Sequence, residues 1–140
     1  RFLLELGTGF AFVGSQVPLQ VGEDTVYPDL LFYHLELRCY VVVELKVTKF
    51  KGEHLGQLGV YVSAVNHIKK KPIDNPTIGL LICKTKNNVM AQYALESTNQ
   101  PIGISEYQLS KLMPEHIQSQ LPTIEDIEAT LSDNDDNADS

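Results

Sequence analysis

The sequence predicts an α/β fold in which helices flank a mixed β-sheet. Stretches rich in β-branched and aromatic residues alternate with stretches whose apolar residues recur every three or four positions. The apolar run 77–83 is typical of a strand buried on both faces. A strongly helical stretch separates it from the preceding strand-like segment, which predicts a right-handed crossover and a parallel strand pair.

The first part of the chain is predicted to form the end of a helix followed by three strands in a meander. Residues 1–6 are typical of last helical turns, because glycines follow them. Residues 10–21 are rich in β-formers with a bend near their middle, and a turn follows at 22–24. The segments 27–34 and 38–47 then predict an antiparallel hairpin with a tight connection.

The second part is predicted to contain helices between buried strands. Residues 53–70 give the strongest helical pattern, with leucine and valine at three- and four-residue spacing. A helix at 87–96 and a strand at 101–105 are expected after the buried run. We predict one domain over residues 1–131, whose last two helices lie at 109–121 and 123–131. An acidic, disordered tail is predicted to follow at 132–140.

Composition favours a cytoplasmic globular protein. The chain has 140 residues, no apolar run long enough to cross a bilayer and no signal peptide. Cys39 and Cys83 lie in apolar strand-like runs and are expected to be buried thiols. Because the chain starts at Arg1 without an initiator methionine, we expect it to be part of a longer protein.

The charge is distributed unevenly along the chain. The net charge is −7, but residues 125–140 contain seven acids and no Lys or Arg. Residues 1–124 hold 11 acids and 11 bases, and segment 38–86 holds nine bases against three acids. A neutral domain with a basic middle is compatible with phosphate binding, although a solvated lysine-rich surface explains it equally.

The predicted hairpin brings three charged residues together. Residues two apart share a face of a strand, so Glu44 and Lys46 point the same way. A turn centred between Glu36 and Leu37 places Asp29 directly across from Glu44, on the same side of the sheet. A register shifted by one residue would move Asp29 to the other face.

Facing carboxylates repel one another, and a bound divalent cation explains such a pair better than a structural role. Mg²⁺ prefers oxygen ligands and is usually held by one or two carboxylates. Such an ion, with a lysine to orient water, is suited to hydrolysing a phosphodiester. The alternative is an exposed Glu44–Lys46 ion pair beside an unrelated Asp29.

These residues resemble the PD-(D/E)XK nuclease superfamily, through Pro28-Asp29 and Glu44-Leu45-Lys46. The chain is also similar to the C-terminal nuclease domain of YhcG-type bacterial proteins, through FLLELGTGFAFVGSQ, PDLLFYHLELRCYVVVELK, NPTIGLLICK and QPIGISEY. The resemblance implies a restriction-endonuclease-like fold and a DNase that uses Mg²⁺, with Mn²⁺ able to substitute. It also implies an N-terminal DNA-binding domain in the same protein, and it is compatible with a homodimer.

The resemblance implies a metal site on the hairpin. Asp29, Glu44 and the backbone carbonyl of Leu45 are the implied metal ligands, and Lys46 is the implied partner of the attacking water. Glu5 occupies the place of an acidic residue on the helix before the first strand and would reach the metal through water. A solvated glutamate is the alternative for Glu5.

Four more residues are candidates for catalysis and substrate binding. Gln57 and Tyr61 fit a Q-x-x-x-Y pattern one helical turn apart, with Gln57 implied to be catalytic and Tyr61 to contact substrate. A surface glutamine and a half-buried core aromatic are the alternatives. Lys49 and Lys51 follow the site strand and are candidates for phosphate contacts, with a solvated loop as the alternative.

The favoured function is metal-dependent endo- or exonucleolytic cleavage of DNA. The rival interpretation is a non-cleaving DNA-binding or interaction module within a restriction-associated assembly. The complete set of Asp29, Glu44 and Lys46 favours the enzyme, because binding alone does not require a metal pair.

Overall fold

The computed structural model describes residues 9–106. The predictions for residues 1–6, for Glu5 and for 107–140 lie outside this part of the chain. The described elements are β1 (Phe10–Ser15), β2 (Leu19–Val21), β3 (Asp24–Val26), β4 (Leu30–His34), β5 (Cys39–Lys49), α1 (Gly52–Ile68), β6 (Ile78–Thr85), α2 (Asn88–Glu96) and β7 (Ile102–Glu106).

Five of the strands form one mixed sheet in the order β1-β4-β5-β6-β7. β4 is antiparallel to both β1 and β5, whereas β6 is parallel to β5 and β7 is parallel to β6. α1 connects β5 to β6, and α2 connects β6 to β7. The predicted α/β class with a mixed sheet and flanking helices is therefore confirmed.

A separate two-stranded sheet, β2 with β3, differs from the prediction. The sequence suggested one bent β-rich stretch over residues 10–21, followed by a turn. Pro18 lies in the connection that ends the first half of this stretch, and Pro lacks the N–H that a continuing strand would need. The second half instead pairs across a turn in which Gly22 has a φ of +61°, a value that suits glycine.

The β4–β5 hairpin has the predicted register. Its pairs run from Leu30 opposite Val43 to His34 opposite Cys39, which centres the turn between residues 36 and 37. The Arg38 N–H donates to the His34 carbonyl at 2.8 Å and closes this turn. Arg38 has a left-handed φ of 53° there.

The sheet has a buried cluster on each face. α1 packs Leu58, Val62 and Val65 against the face that carries Val42 and Leu81. Each such buried side chain contributes about 1.5–3 kcal/mol of transfer free energy. The other face carries a second cluster, formed by Phe10, Leu30, Phe32, Cys39, Val41, Val43, Leu45, Leu80 and Ile82. Alternate residues of β5 therefore enter opposite clusters, which places Glu44 on the α1 side.

Close contact between α1 and the sheet depends on Gly79 of β6. A Cβ atom at this position would lie 2.8 Å from Val62 Cγ2 and 3.2 Å from Leu58 Cγ. The packing of α1 fixes the position of its other side chains relative to β5. Cys39 and Cys83 are free and buried, as predicted. Neither described helix is long and apolar enough to cross a membrane.

Candidate active site

Asp29 and Glu44 meet where the backbone pairing of β4 and β5 ends. Leu30 opposite Val43 is the last backbone pair, and Asp29 lies one step beyond it, level with Glu44. The Asp29 N–H donates to Glu44 Oε1 at 2.7 Å, and the Leu45 N–H donates to Asp29 Oδ2 at 2.9 Å. Each carboxylate thus binds a backbone amide of the other strand, and the predicted convergence of Asp29 with Glu44 is confirmed.

Gln16 supplies a further donor to Asp29. Its side-chain Nε2 donates to Asp29 Oδ1 at 3.0 Å, and its backbone N–H donates to the Asp29 carbonyl at 3.0 Å. No role was predicted for Gln16, because a single neutral amide carries no signature of metal or acid–base chemistry. The one feature of the sequence that could have indicated a role for Gln16 is its place at the end of GFAFVGSQ, a stretch that contributes to the family resemblance.

Both carboxyl groups are buried, with Asp29 7% and Glu44 3% exposed. Burial raises the pKa of Asp29 to about 6, although the Leu45 amide and the Lys46 charge oppose this rise. Burial, followed by the negative charge of Asp29, raises the pKa of Glu44 well above its ordinary range. Two buried carboxylates in one site are electrostatically unfavourable as anions unless a cation joins them.

Lys46 supplies positive charge on the same face of β5. It lies two residues after Glu44 and is half-buried. Burial raises the pKa of Asp29, of Glu44 and of the Cys83 thiol, and the positive charge of Lys46 opposes this rise in all three. Cys83 is the residue of the neighbouring strand that pairs with Lys46. The predicted grouping of Asp29, Glu44 and Lys46 is therefore present in the fold.

Gln57 and Tyr61 extend the site onto α1. The Gln57 Nε2 donates to the Tyr61 hydroxyl at 3.0 Å, so the two residues share a helix face as predicted. Burial and the charges of Glu44 and Asp29 raise the pKa of Tyr61 to about 12. Tyr61 is buried in the cluster between α1 and the sheet, on the same side of the sheet as Glu44. Gln57, in contrast, is exposed.

A basic surface lies at the ends of β5 and β6. Lys49 is the last residue of β5 and Lys51 follows it closely, and both are exposed. Lys49 is level with Thr85 of β6, and the Phe50 N–H donates to the Thr85 carbonyl at 2.8 Å. This pairing brings both lysines beside Lys84 and Lys86, which were not predicted as site residues. Segments 45–52 and 83–95 contain no Asp or Glu.

The donors at Asp29 and Glu44 suit a hard cation. Within residues 9–106 no group of three or more His, Cys, Asp and Glu side chains could hold a metal. Mg²⁺ does not need such a group, because it keeps several waters and binds through one or two carboxylates. The N–H and C=O groups of one strand residue point toward the same neighbouring strand. Because the Leu45 N–H donates to Asp29, the Leu45 carbonyl also points toward Asp29.

Residues 1–122 match the family model described as "YhcG PDDEXK nuclease domain". The chain belongs to this family. The family name abbreviates a motif that Pro28-Asp29 and Glu44-Leu45-Lys46 match here, and the structure brings the motif's charged residues together. The resemblance to PD-(D/E)XK nucleases is confirmed, and so is the restriction-endonuclease-like mixed sheet that it implies.

A curated relative supports membership of the YhcG PDDEXK nuclease family. The chain is 41% identical over 108 residues to an Escherichia coli (strain K12) protein named "Putative nuclease YhcG". This alignment covers 77% of the chain and 29% of the relative. The chain thus spans less than a third of that relative's length.

Two solved structures are similar to this YhcG-family domain. A repair endonuclease from Pyrococcus abyssi matches with a TM-score of 0.49 and 14% identity, covering 75% of this chain and 39% of that one. A chain in a structure titled "Structure of EndoMS-dsDNA2 complex" matches with a TM-score of 0.46 and 16% identity. That match covers 74% of this chain and 38% of the other.

Proposed function

We propose that this nuclease domain hydrolyses phosphodiester bonds of DNA with the help of Mg²⁺, for which Mn²⁺ can substitute. The observation that supports the metal requirement is the pair of buried carboxylates, Asp29 and Glu44, each bonded to the other strand's backbone. A lysine on the same face provides the cation that such chemistry needs beside the metal.

The proposed metal ligands are Asp29, Glu44 and the Leu45 carbonyl. Glu5, outside the described residues, is proposed to act through a water molecule. A bound Mg²⁺ would polarise the phosphate oxygen and acidify its bound water. The protein's part is to hold the two carboxylates in place, and the cross-strand bonds of 2.7 and 2.9 Å support that role.

The remaining residues are proposed to act on water and substrate. Lys46 orients the attacking water and balances negative charge at the phosphate, because its ammonium already acts on both carboxyls. Gln57 is exposed beside Tyr61 at the edge of the candidate site, where its side-chain amide can contact a phosphate or a metal-bound water. Tyr61 accepts a hydrogen bond from Gln57, which leaves its own O–H proton to donate to substrate.

Several wider proposals rest on the composition of the chain and on the resemblance. We propose that residues 1–131 form the nuclease domain and that residues 132–140 form an acidic tail. The whole protein is proposed to act in the cytoplasm, with an N-terminal DNA-binding domain. A homodimer would suit the cutting of both strands of a duplex, since that reaction needs two active sites.

The proposed function is tested by a cleavage assay with several DNA forms. Linear, supercoiled, single-stranded and branched DNA are incubated with Mg²⁺, Mn²⁺ or EDTA. We expect cutting with either cation, none with EDTA, and a rate lowered by roughly a hundredfold or more in Asp29→Asn. The Asn side chain keeps one oxygen to accept from the Leu45 N–H, so this variant is expected to fold.

The same assay separates the enzyme from a binding module. The full-length protein should be included in case the 140-residue chain needs the rest of the molecule. Tight DNA binding without any cutting, by both proteins and with both cations, would overturn the enzyme proposal. It would favour the non-cleaving module within a larger assembly.

The basic surface at the ends of β5 and β6 predicts how DNA binding depends on salt. Reversing two charges, in the double variant Lys84→Glu/Lys86→Glu, should weaken DNA binding. Log affinity falls as log salt rises, and each lost phosphate contact should make this negative slope shallower by about 0.9. Fluorescence anisotropy with labelled DNA, at several salt concentrations and in Ca²⁺ to prevent cutting, measures this slope.

Lys69 and Lys71 provide the matched control. They lie at the opposite end of the sheet, because the loop after α1 binds the β4–β5 turn through the Asn75 N–H and the Arg38 carbonyl at 2.7 Å. The length of β5 separates the two ends by roughly 30 Å. Lys69→Glu/Lys71→Glu makes the same charge change and should leave the slope near that of the wild type. Equal slopes in both variants would place the DNA elsewhere.

A further inference from the structure

Gln16 has a backbone conformation that side chains disfavour. Its φ is 54°, and within residues 9–106 only Arg38, with a φ of 53°, is another non-glycine residue with positive φ. Glycine adopts this left-handed conformation without the steric cost that a Cβ atom brings. A side chain at position 16 therefore opposes the local backbone preference.

The side chain and the backbone of Gln16 both bind Asp29. Gln16 follows directly after Ser15, the last β1 residue, which pairs with Leu30 of β4 beyond a β-bulge. The left-handed residue turns the chain out of the sheet while its N–H donates to the Asp29 carbonyl at 3.0 Å. Its amide Nε2 donates to Asp29 Oδ1, also at 3.0 Å.

The side-chain amide of Gln16 and the backbone N–H of Leu45 donate to different carboxylate oxygens of Asp29. Leu45 donates to Oδ2 and Gln16 donates to Oδ1. A carboxylate oxygen can accept two hydrogen bonds, so each oxygen keeps a lone pair for a cation. With only one donor the carboxylate could rotate about its Cβ–Cγ bond, whereas two donors fix its plane.

We propose that Gln16 is a positioning residue that fixes the Asp29 carboxylate for metal binding. This inference rests on the proposed function, in which Asp29 is a metal ligand. Outer-shell partners that orient a ligand typically change metal affinity by about 10- to 100-fold when they are removed. The donor on Asp29 Oδ1 is such a partner.

Arg38 offers a matched comparison for the backbone. Its left-handed conformation closes the β4–β5 turn through an N–H bond to the His34 carbonyl at 2.8 Å, and its side chain is exposed. Gln16→Gly and Arg38→Gly relieve the same kind of backbone strain. Of these two changes, Gln16→Gly alone removes a hydrogen-bond donor from Asp29.

The experiment measures Mn²⁺ binding by calorimetry, and the Mg²⁺ concentration for half-maximal DNA cleavage, in the 140-residue chain. We expect Gln16→Gly to weaken both by about 10- to 100-fold, while its metal-free melting temperature is equal to or above that of the wild type. Saturating Mg²⁺ should restore most of the cleavage rate. Arg38→Gly should change neither metal measurement.

A second variant, Gln16→Met, keeps a side chain of similar length but has no N–H donor. If Gln16→Gly folds poorly, Gln16→Met takes its place in the experiment, and it should show the same loss of metal affinity. Normal Mn²⁺ binding in either folded variant would overturn the role of Gln16 and leave the nuclease proposal intact. A wild-type protein that binds neither Mn²⁺ nor Mg²⁺ and cuts no DNA would overturn both.

Discussion

We expect Glu44→Gln to lose metal-dependent cleavage and to be more stable than the wild type at pH 7 without metal. Glu44 is buried, and both its burial and the nearby charge of Asp29 raise its pKa well above the ordinary range. The glutamine keeps an oxygen that can accept from the Asp29 N–H, as Glu44 Oε1 does at 2.7 Å. The substitution removes a carboxyl group whose ionisation the folded site opposes, and it keeps the shape of the site.

The two effects are measured on the same sample. Loss of about 4 kcal/mol of metal-supplied stabilisation would lower the cleavage rate by roughly a thousandfold. Urea unfolding in EDTA should show a higher free energy of unfolding for Glu44→Gln than for the wild type, because burial and the Asp29 charge oppose ionisation of Glu44 in the folded state. Residues that serve catalysis at a cost in stability typically behave in this way when they are replaced.

Glu36→Gln is the control for this substitution. Glu36 is exposed in the β4–β5 turn, so its replacement makes the same chemical change away from the site. It should leave both the cleavage rate and the free energy of unfolding nearly unchanged. If Glu44→Gln were inactive and also less stable than the wild type, Glu44 would be holding the hairpin together and the metal role would lose its support.

The parts of the fold that sequence could predict are those set by local pattern. The β4–β5 register follows from the short turn at 36–37, and that register alone places Asp29 level with Glu44. The α1 helix follows from its three- and four-residue apolar spacing, which also put Gln57 one turn from Tyr61. Local periodicity and turn length therefore placed most of the candidate site.

The parts that sequence could not predict depend on contacts between distant segments. Gln16 reaches Asp29 only because β1 pairs with β4 and the chain then turns sharply. Lys84 joins the basic surface only because β6 is parallel to β5 in the observed register. The β2–β3 hairpin likewise depends on pairing that the chain's apolar pattern does not specify.

The buried carboxylates also predict an unusual dependence of stability on pH. Burial raises the pKa of Asp29 from 3.8 to about 6, so the metal-free folded state keeps a proton that the unfolded state releases near pH 4. Between about pH 4 and pH 6 the folded state binds more protons, and stability falls as pH rises. Asp29 alone would lower the free energy of unfolding by roughly 3 kcal/mol across this window.

The effect is isolated by comparing the wild type with Asp29→Asn in EDTA from pH 3 to pH 8. Asp74→Asn is a control, because the pKa of Asp74 is lowered in the folded state whereas that of Asp29 is raised. The Tyr33 hydroxyl, as hydrogen-bond donor, and the Lys71 N–H lower the pKa of Asp74. Asp74 therefore contributes stability above its unfolded pKa of 3.8 that is lost as pH falls through its lower folded pKa.

Saturating Mg²⁺ should reverse the slope between pH 5 and pH 8. A metal binds deprotonated ligands, so its affinity, and with it the stability that binding adds, rises as Asp29 and Glu44 ionise. At a hundredfold excess over the dissociation constant this stabilisation is about 2.7 kcal/mol. Wild-type and Asp29→Asn curves that stay parallel in EDTA would mean that Asp29 ionises at its ordinary pKa. The carboxylate pair would then be stable without a cation, and charge repulsion would no longer support a metal site.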